Sequence, residues 1–326
     1  MRYLFHLSTV PKYFDWFDND WDKIKEFAKE HHMDGVEIMI HNNYDIKRVP
    51  DDFAYGMHLR FWPMWLDFWN RDFYAVANTV GENDQIKRMY GGMDPQCLID
   101  QYREQYRLAK ELGVKYMVFH VSHVINQDTF KWEYDYTDKE VMEATIELVN
   151  MAFPSNEDGP MLLFENLWWP GLTYCDPELT KWFIEQINYK NKGFLLDTSH
   201  LILTNPQIST EDQAVDYMRE IVKGLGETSS YIKGMHVNKT LPKNYMSKNH
   251  LDKLEKYKNA KNQWDKINIL KDHIGNLDIH KPFDHSAIKK LIDDIKPEFC
   301  VFEVSPDTKN ELSDYLNRQN KALARG

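Results

Sequence analysis

Two hydrophobic periodicities alternate along the chain. Short apolar runs of strand length occupy residues 2–8, 36–40, 55–59, 115–120, 161–165, 193–197, 231–237 and 299–304. Between them lie segments in which apolar residues recur every third or fourth position, the spacing of one helix face. Residues 20–32 are the clearest example, with Trp21, Ile24, Phe27 and Ala28 on one stripe and Met33-Asp34-Gly35 ending it. Similar patterns cover 95–112, stopped by Gly113, and 138–152, 177–188, 210–224 and 286–295. Runs that are apolar throughout suit strands buried on both faces, as in parallel sheets. Strict alternation of strand and helix predicts such a sheet, and eight strands predict a closed (β/α)8 TIM barrel. No linker or low-complexity tract interrupts the pattern, so one domain is expected over residues 1–326.

Two connections exceed what a minimal barrel needs. Residues 60–94 follow the third strand and carry Phe61, Trp62, Trp65, Phe68 and Trp69. Residues 239–276 follow the seventh, are rich in lysine, and contain the helical pattern Leu251, Leu254, Tyr257. Both leave the C-terminal ends of strands, where barrel active sites lie, so both are expected above that face. The aromatic residues suit either a plug or a substrate contact. The lysines suit a solvated helix face, with a phosphate-facing role as the alternative.

The 326-residue chain has 42% hydrophobic residues, enough for a substantial core, and no apolar run of membrane-spanning length. Its start, Met1-Arg2-Tyr3-Leu4-Phe5-His6, lacks the apolar segment of a signal peptide and reads as a strand. Cys97, Cys175 and Cys300 show no paired spacing and are expected to be reduced thiols of a cytoplasmic protein. A net charge of −11 argues against broad nucleic-acid binding.

The chemistry concentrates where the apolar runs end. Phe119 leads to His120, Phe164 to Glu165, Leu196 to Asp197, Met235 to His236 and Phe302 to Glu303. Met57 leads likewise to His58, and His200 lies in the turn after Asp197. Asp278 and His280 add an Asp-x-His whose period-two spacing turns both side chains to one side of an extended segment. A buried carboxylate is costly unless paired or bound to metal. Any one of these histidines alone suits a hydrogen-bonded core position; nine such residues suit chelation. Imidazole with carboxylate favours Zn²⁺, Mn²⁺ or Fe²⁺, and nine ligands suit two or three ions sharing a bridging carboxylate, zinc or manganese being the expected metals. His123 is expected to be structural or to support a ligand. His6, His41, His250, His273 and His285 have no comparable placement.

These motifs resemble those of the xylose isomerase-like TIM-barrel superfamily, the AP endonuclease family 2 group, over roughly residues 2–305. The ligand pattern is closest to the endonuclease IV branch. That branch has a histidine after strand three, here His58, and one after strand four, here His120. It has Glu-Asn, here Glu165-Asn166, and Asp-Thr-x-His, here Asp197-Thr198-Ser199-His200. His-x-Asn follows as His236-Val237-Asn238, then Asp278-Ile279-His280 and a final Glu303. The resemblance implies one ion on His58, His120 and Glu165. A second would share Glu165 and use Asp197, His236 and Glu303, and a third would use His200, Asp278 and His280. Two features depart from the branch. Val121-Ser122 stands where it has Pro-Gly, and residues 239–276 separate His236 from Asp278 much further.

The expected activity is metal-dependent hydrolysis of a phosphoester or phosphodiester in a small or medium-sized substrate under the aromatic loop. Glu165, Asp197, His236 and Glu303 are the expected catalytic residues. Arg60, Trp62, Trp168 and Lys239 are the expected substrate contacts. The alternative is a sugar or sugar-phosphate isomerase or epimerase, which by the same resemblance needs only Glu165, Asp197, His236 and Glu303. A metal-stabilised binding protein is a third reading.

Overall fold

The computed structural model of the protein describes residues 1–41, 44–155 and 158–325. Eight strands pair in parallel and in chain order: β1 (Arg2–Ser8), β2 (Gly35–Met39), β3 (Ala54–His58), β4 (Tyr116–His120), β5 (Met161–Glu165), β6 (Lys192–Asp197), β7 (Ile232–His236) and β8 (Phe299–Phe302). Pairing of β8 with β1 closes the expected α/β barrel.

Local chemistry sets the surrounding helices. Asp20 caps Trp21–Glu30 by accepting the Asp22 N–H, and Thr137 with Glu140 forms a reciprocal capping box for Asp138–Ala152. Gly113 ends Gln96–Leu112 in the left-handed conformation, at φ 68°. One helix lies beyond the last that the sequence pattern predicts, at 286–295. Lys309–Ala322 follows β8, capped by Thr308, and buries Leu312 and Leu316.

The barrel interior is filled by Leu4, Tyr116, Val118, Leu163, Leu195, Phe299 and Val301. Tyr116 and Phe299 stack at 3.9 Å between ring centroids. Gly56 and Gly234 make room for them: a Cβ at either position would lie 2.0 Å from the Tyr116 ring or 2.2 Å from the Phe299 ring. This layer seals the barrel below its mouth. Side chains alternate with period two, so the next inward layer lies two residues further along. It consists of His6, Glu37, His58, His120, Glu165, Asp197, His236 and Glu303, one from each strand or the residue just after it.

The two long connections fold into short helices. Residues 60–94 form Leu66–Trp69, Phe73–Thr79 and Asn83–Tyr90; residues 239–276 include Lys243–Met246 and Leu251–Lys258, and Gln263–Leu277 runs to their end. In the second connection Leu254 and Tyr257 pack on Phe130, which follows β4. Leu251, expected on the same stripe, is instead 50% exposed. His273 stacks on Phe130 at 4.1 Å and bonds the Thr129 carbonyl and Tyr245 hydroxyl, so its role is to fasten this insertion.

Candidate metal centre

All nine sequence-predicted ligand residues converge at the barrel mouth. Glu165 is fully buried and lies among four histidines. Its Oε2 is 2.8 Å from His120 Nε2 and 3.4 Å from His58 Nε2. Its Oε1 is 3.3 Å from both His200 Nδ1 and His236 Nδ1. His58 Nε2 and His120 Nε2 are themselves 3.1 Å apart. On the far side His236 Nδ1 lies 3.0 Å from Glu303 Oε2 and 3.7 Å from Asp197 Oδ2. Asp278 Oδ2 lies 3.3 Å from His200 Nε2 and 2.8 Å from His280 Nε2.

Backbone groups orient several of these side chains. His58 Nδ1 bonds the Leu59 carbonyl, His200 Nδ1 the Asn166 carbonyl and His280 Nδ1 the Glu303 carbonyl. Each of these Nδ1 atoms therefore carries a proton, leaving Nε2 of His58 toward Glu165 and Nε2 of His200 and His280 toward Asp278, while His200 Nδ1 also stays 3.3 Å from Glu165. Asp197 caps the short helix Thr198–Leu203, accepting the His200 N–H at 2.8 Å on one oxygen and the Asn238 amide at 2.9 Å on the other. Asp-Thr-x-His is thus a capping turn that also delivers His200.

Among the described residues four groups of atoms are close enough to hold one ion each: His58, His120 and Glu165; Glu165, Asp197, His236 and Glu303; Asp197, His200 and His280, with the expected Asp278 beside them; and His6, Glu37 and Glu303. The electrostatics fit cations. Both oxygens of Glu165, Glu303 Oε2 and His236 Nδ1 are buried without a hydrogen-bond partner among the described residues, despite neighbours at 2.8–3.4 Å. They lie close together without forming hydrogen bonds to one another. Burial raises the Glu165 pKa, but His120 and His236 outweigh it and hold the carboxyl well below its usual range. Burial pushes Asp197 up to about 6 against the pull of His200 and His280. Imidazole nitrogen and carboxylate oxygen without thiolate suit zinc or manganese, and the three cysteines stand outside these groups.

Two members were missed in sequence. His6 Nδ1 lies 3.5 Å from Glu37 and 3.7 Å from Glu303, and Glu37 lies 3.0 Å from His236 Nε2. Both sit inside strands rather than at their ends. The signal was a lone ionisable residue in a strand apolar on both faces, which must find a partner. His123 is structural: it accepts the Leu66 N–H, and burial lowers its pKa to about 4.

The expected substrate contacts divide. Trp168 lies 5.2 Å from the His200 ring and lines an open cleft of about 480 Å³ with Trp169, Leu203 and Met246. Trp62 does not face open space. It is buried, its indole donates to the Met89 carbonyl, and it packs on Tyr102 with Arg60 over its outer face. The expected cover over a substrate is therefore a plug, because Trp65 donates to the Ser122 carbonyl and Phe68 stacks on Tyr90 at 4.1 Å. Only about 10 Å³ remains between Phe61, Trp62, Trp65 and His120. Lys239 is also misplaced for phosphate: its ammonium is held by Glu211 and Asp284.

Open space beside the cluster lies instead between β1 and β8. A cavity of about 340 Å³ is lined by His6, Tyr13, Trp16, His41, His280 and Glu303 among others. A larger groove, about 700 Å³, lies on the outer wall beside Arg219 and Asp294 and contains no histidine.

The endonuclease IV structure from Thermus thermophilus superposes with a TM-score of 0.54 at 14% identity, covering 99% of both chains. An L-ribulose 3-epimerase superposes at 0.52 with 11% identity, over 98% of this chain and 93% of that one. A 3-keto-D-glucoside 4-epimerase from E. coli superposes at 0.50 with 10% identity, over 99% of both. At such identities the likeness is one of fold. No curated protein matches the sequence. The xylose isomerase-like TIM barrel family model matches residues 4–311, and the chain belongs to that family.

Proposed function

We propose that the protein is a metal-dependent hydrolase acting on a phosphoester or phosphodiester of a small or medium-sized molecule. One observation carries this reading. Beyond Glu165, Asp197, His236 and Glu303, five more ligand residues, His58, His120, His200, Asp278 and His280, turn their side chains onto the same mouth. A single-ion isomerase gives no reason to assemble them. When bound, two or three divalent ions would lower the pKa of an attacking water and neutralise phosphate charge.

The chain's own groups have separate tasks. Glu165 presents one oxygen to the His58–His120 pair and the other toward His236, the placement of a bridge between two sites. Glu303 and His6 face the β1–β8 cavity, within reach of a substrate proton. Tyr13 and Trp16 offer aromatic surface on the opposite wall. A cavity of this size suits a small molecule, and a net charge of −11 gives nucleic acid no general attraction.

The second reading, a sugar or sugar-phosphate isomerase or epimerase, is favoured by one observation. Glu165, Asp197, His236 and Glu303 form a complete ion-sized group by themselves. Asp278→Asn combined with His280→Ala separates the two when assayed on phosphomonoesters, phosphodiesters and free ketoses. The hydrolase reading expects loss of phosphoester cleavage with the other ions retained. Wild-type ketose interconversion that persists at a similar rate in the double variant replaces it with the isomerase.

A further inference from the structure

His236 differs from His58, His200 and His280 in what holds its ring, although His200 Nδ1, bonded to the Asn166 carbonyl, also lies 3.3 Å from Glu165. His58, His200 and His280 each fix Nδ1 on a backbone carbonyl, an anchor that the fold supplies whatever the side chains. In His236 it is Nδ1 that approaches Glu165, Glu303 and Asp197, at 3.3, 3.0 and 3.7 Å. Its Nε2 lies 3.0 Å from one oxygen of Glu37 and 3.1 Å from the other. Both side chains are completely buried. The anchor of this one ring is therefore a charged side chain from a strand on a distant part of the sequence, 199 residues away.

Glu37 is itself held in place. The Tyr116 hydroxyl donates to Glu37 Oε2 at 2.8 Å. The Tyr116 ring stacks on Phe299 and fills the space that Gly56 leaves, where any Cβ would collide with it. His6 approaches the other Glu37 oxygen at 3.5 Å. A line of contacts thus runs from the sealed interior of the barrel, through Tyr116 and Glu37, to a ring nitrogen aimed at the candidate centre. A carboxylate accepting the distal N–H of a ligating histidine fixes the ring's tautomer and orientation and increases its basicity.

We propose that Glu37 is a positioning residue: its carboxylate takes the Nε2–H of His236 and fixes Nδ1 as the nitrogen presented to Glu165, Asp197 and Glu303, setting the affinity for the divalent ion that group would hold. The inference rests on the metal-centre reading above. It also gives the inner layer a division of labour. β3 and β4 present Nε2 ligands with no carboxylate behind them, while β7 presents an Nδ1 ligand backed by β2.

The test is zinc binding by the full-length protein after chelator treatment, titrated with Zn²⁺ alone against a chromophoric competitor. Wild type, Glu37→Gln and Tyr116→Phe are compared. Glu37→Gln is expected to weaken one ion's affinity by about 10–100-fold and leave the others unchanged. Tyr116→Phe keeps the stacked ring and removes only the hydroxyl, so a smaller loss at the same ion is expected. Imidazole ¹⁵N spectra of the zinc-loaded wild type are expected to show His236 protonated at Nε2 and bound through Nδ1, with His58 and His280 the reverse. If both variants bind every ion as wild type does, or if His236 binds through Nε2, the positioning role is wrong while the metal centre stands. If wild type binds no zinc tightly, the metal-centre reading itself falls and this role with it. Should Glu37→Gln not fold, Tyr116→Phe and the wild-type spectra still decide.

Discussion

On the β3–β4 side of the barrel mouth, Trp62, Trp65 and Phe68 are buried, and the first two donate their indole N–H groups to backbone carbonyls. On the β1–β8 side, Tyr13 and Trp16 are half-buried, meet edge to face at 5.0 Å, and border a cavity of about 340 Å³. Both regions are aromatic and both touch the histidine cluster, yet only the second leaves room for a ligand. The difference lies in what satisfies the ring. An indole whose polar edge is bonded to the backbone and whose faces are covered has become core. A ring that is only half-buried and borders open space beside polar side chains remains a recognition surface. Aromatic content therefore says little about substrate contact until the partners of each ring are known.

The largest expected effect lies on the plugged side. Trp65→Ala removes a buried ring and leaves the Ser122 carbonyl without its donor, so a loss of about 3–5 kcal/mol is expected in urea or thermal unfolding. Its KM for any substrate should barely change. Trp16→Ala is expected to do the opposite, raising KM about tenfold, roughly 1.4 kcal/mol of binding, with a small change in stability. A raised KM without destabilisation in Trp65→Ala, or destabilisation alone in Trp16→Ala, breaks the comparison.

A smaller effect sharpens it from the electrostatic side. Burial lowers the His280 pKa, but the Asp278 carboxylate outweighs burial and raises it from 6.5 to about 9. A histidine raised in the folded state contributes stability fully below its unfolded pKa and loses it as pH rises through the folded one. The chelator-treated protein should therefore unfold at progressively lower temperature between pH 6.5 and 9. With metal bound, Nε2 has no proton to lose and the dependence should flatten. A metal-free protein whose midpoint stays level across that window contradicts the assigned pairing. Beneath the plug, burial holds His123 at about 4, below this window.

Strand order and most of the inner layer were legible because a parallel strand buried on both faces leaves a conspicuous polar residue where it ends. His58, His120, Glu165, Asp197, His236 and Glu303 all carry that mark. His6 and Glu37 obey the same period-two rule but stand before Leu7 and Ile38, so the strand continues past them. The helix Lys309–Ala322 was also missed, although Thr308 with Glu311 is a local start signal. Lys239 could not be placed from sequence. Its partners Glu211 and Asp284 come from distant segments, and nothing local indicates that its charge is already paired. The fate of the aromatic connection was equally non-local, being set by carbonyls at Met89 and Ser122.

The central claim is that the mouth is a multinuclear metal centre, and the most direct measurement is the number of ions per chain. Elemental analysis of the purified protein, with anomalous scattering from crystals to place each ion, reads it without any assay. The account predicts two or three divalent ions, zinc or manganese, with Glu165 shared between two of them. At most one tightly bound ion, with His58 and His280 unligated, contradicts it.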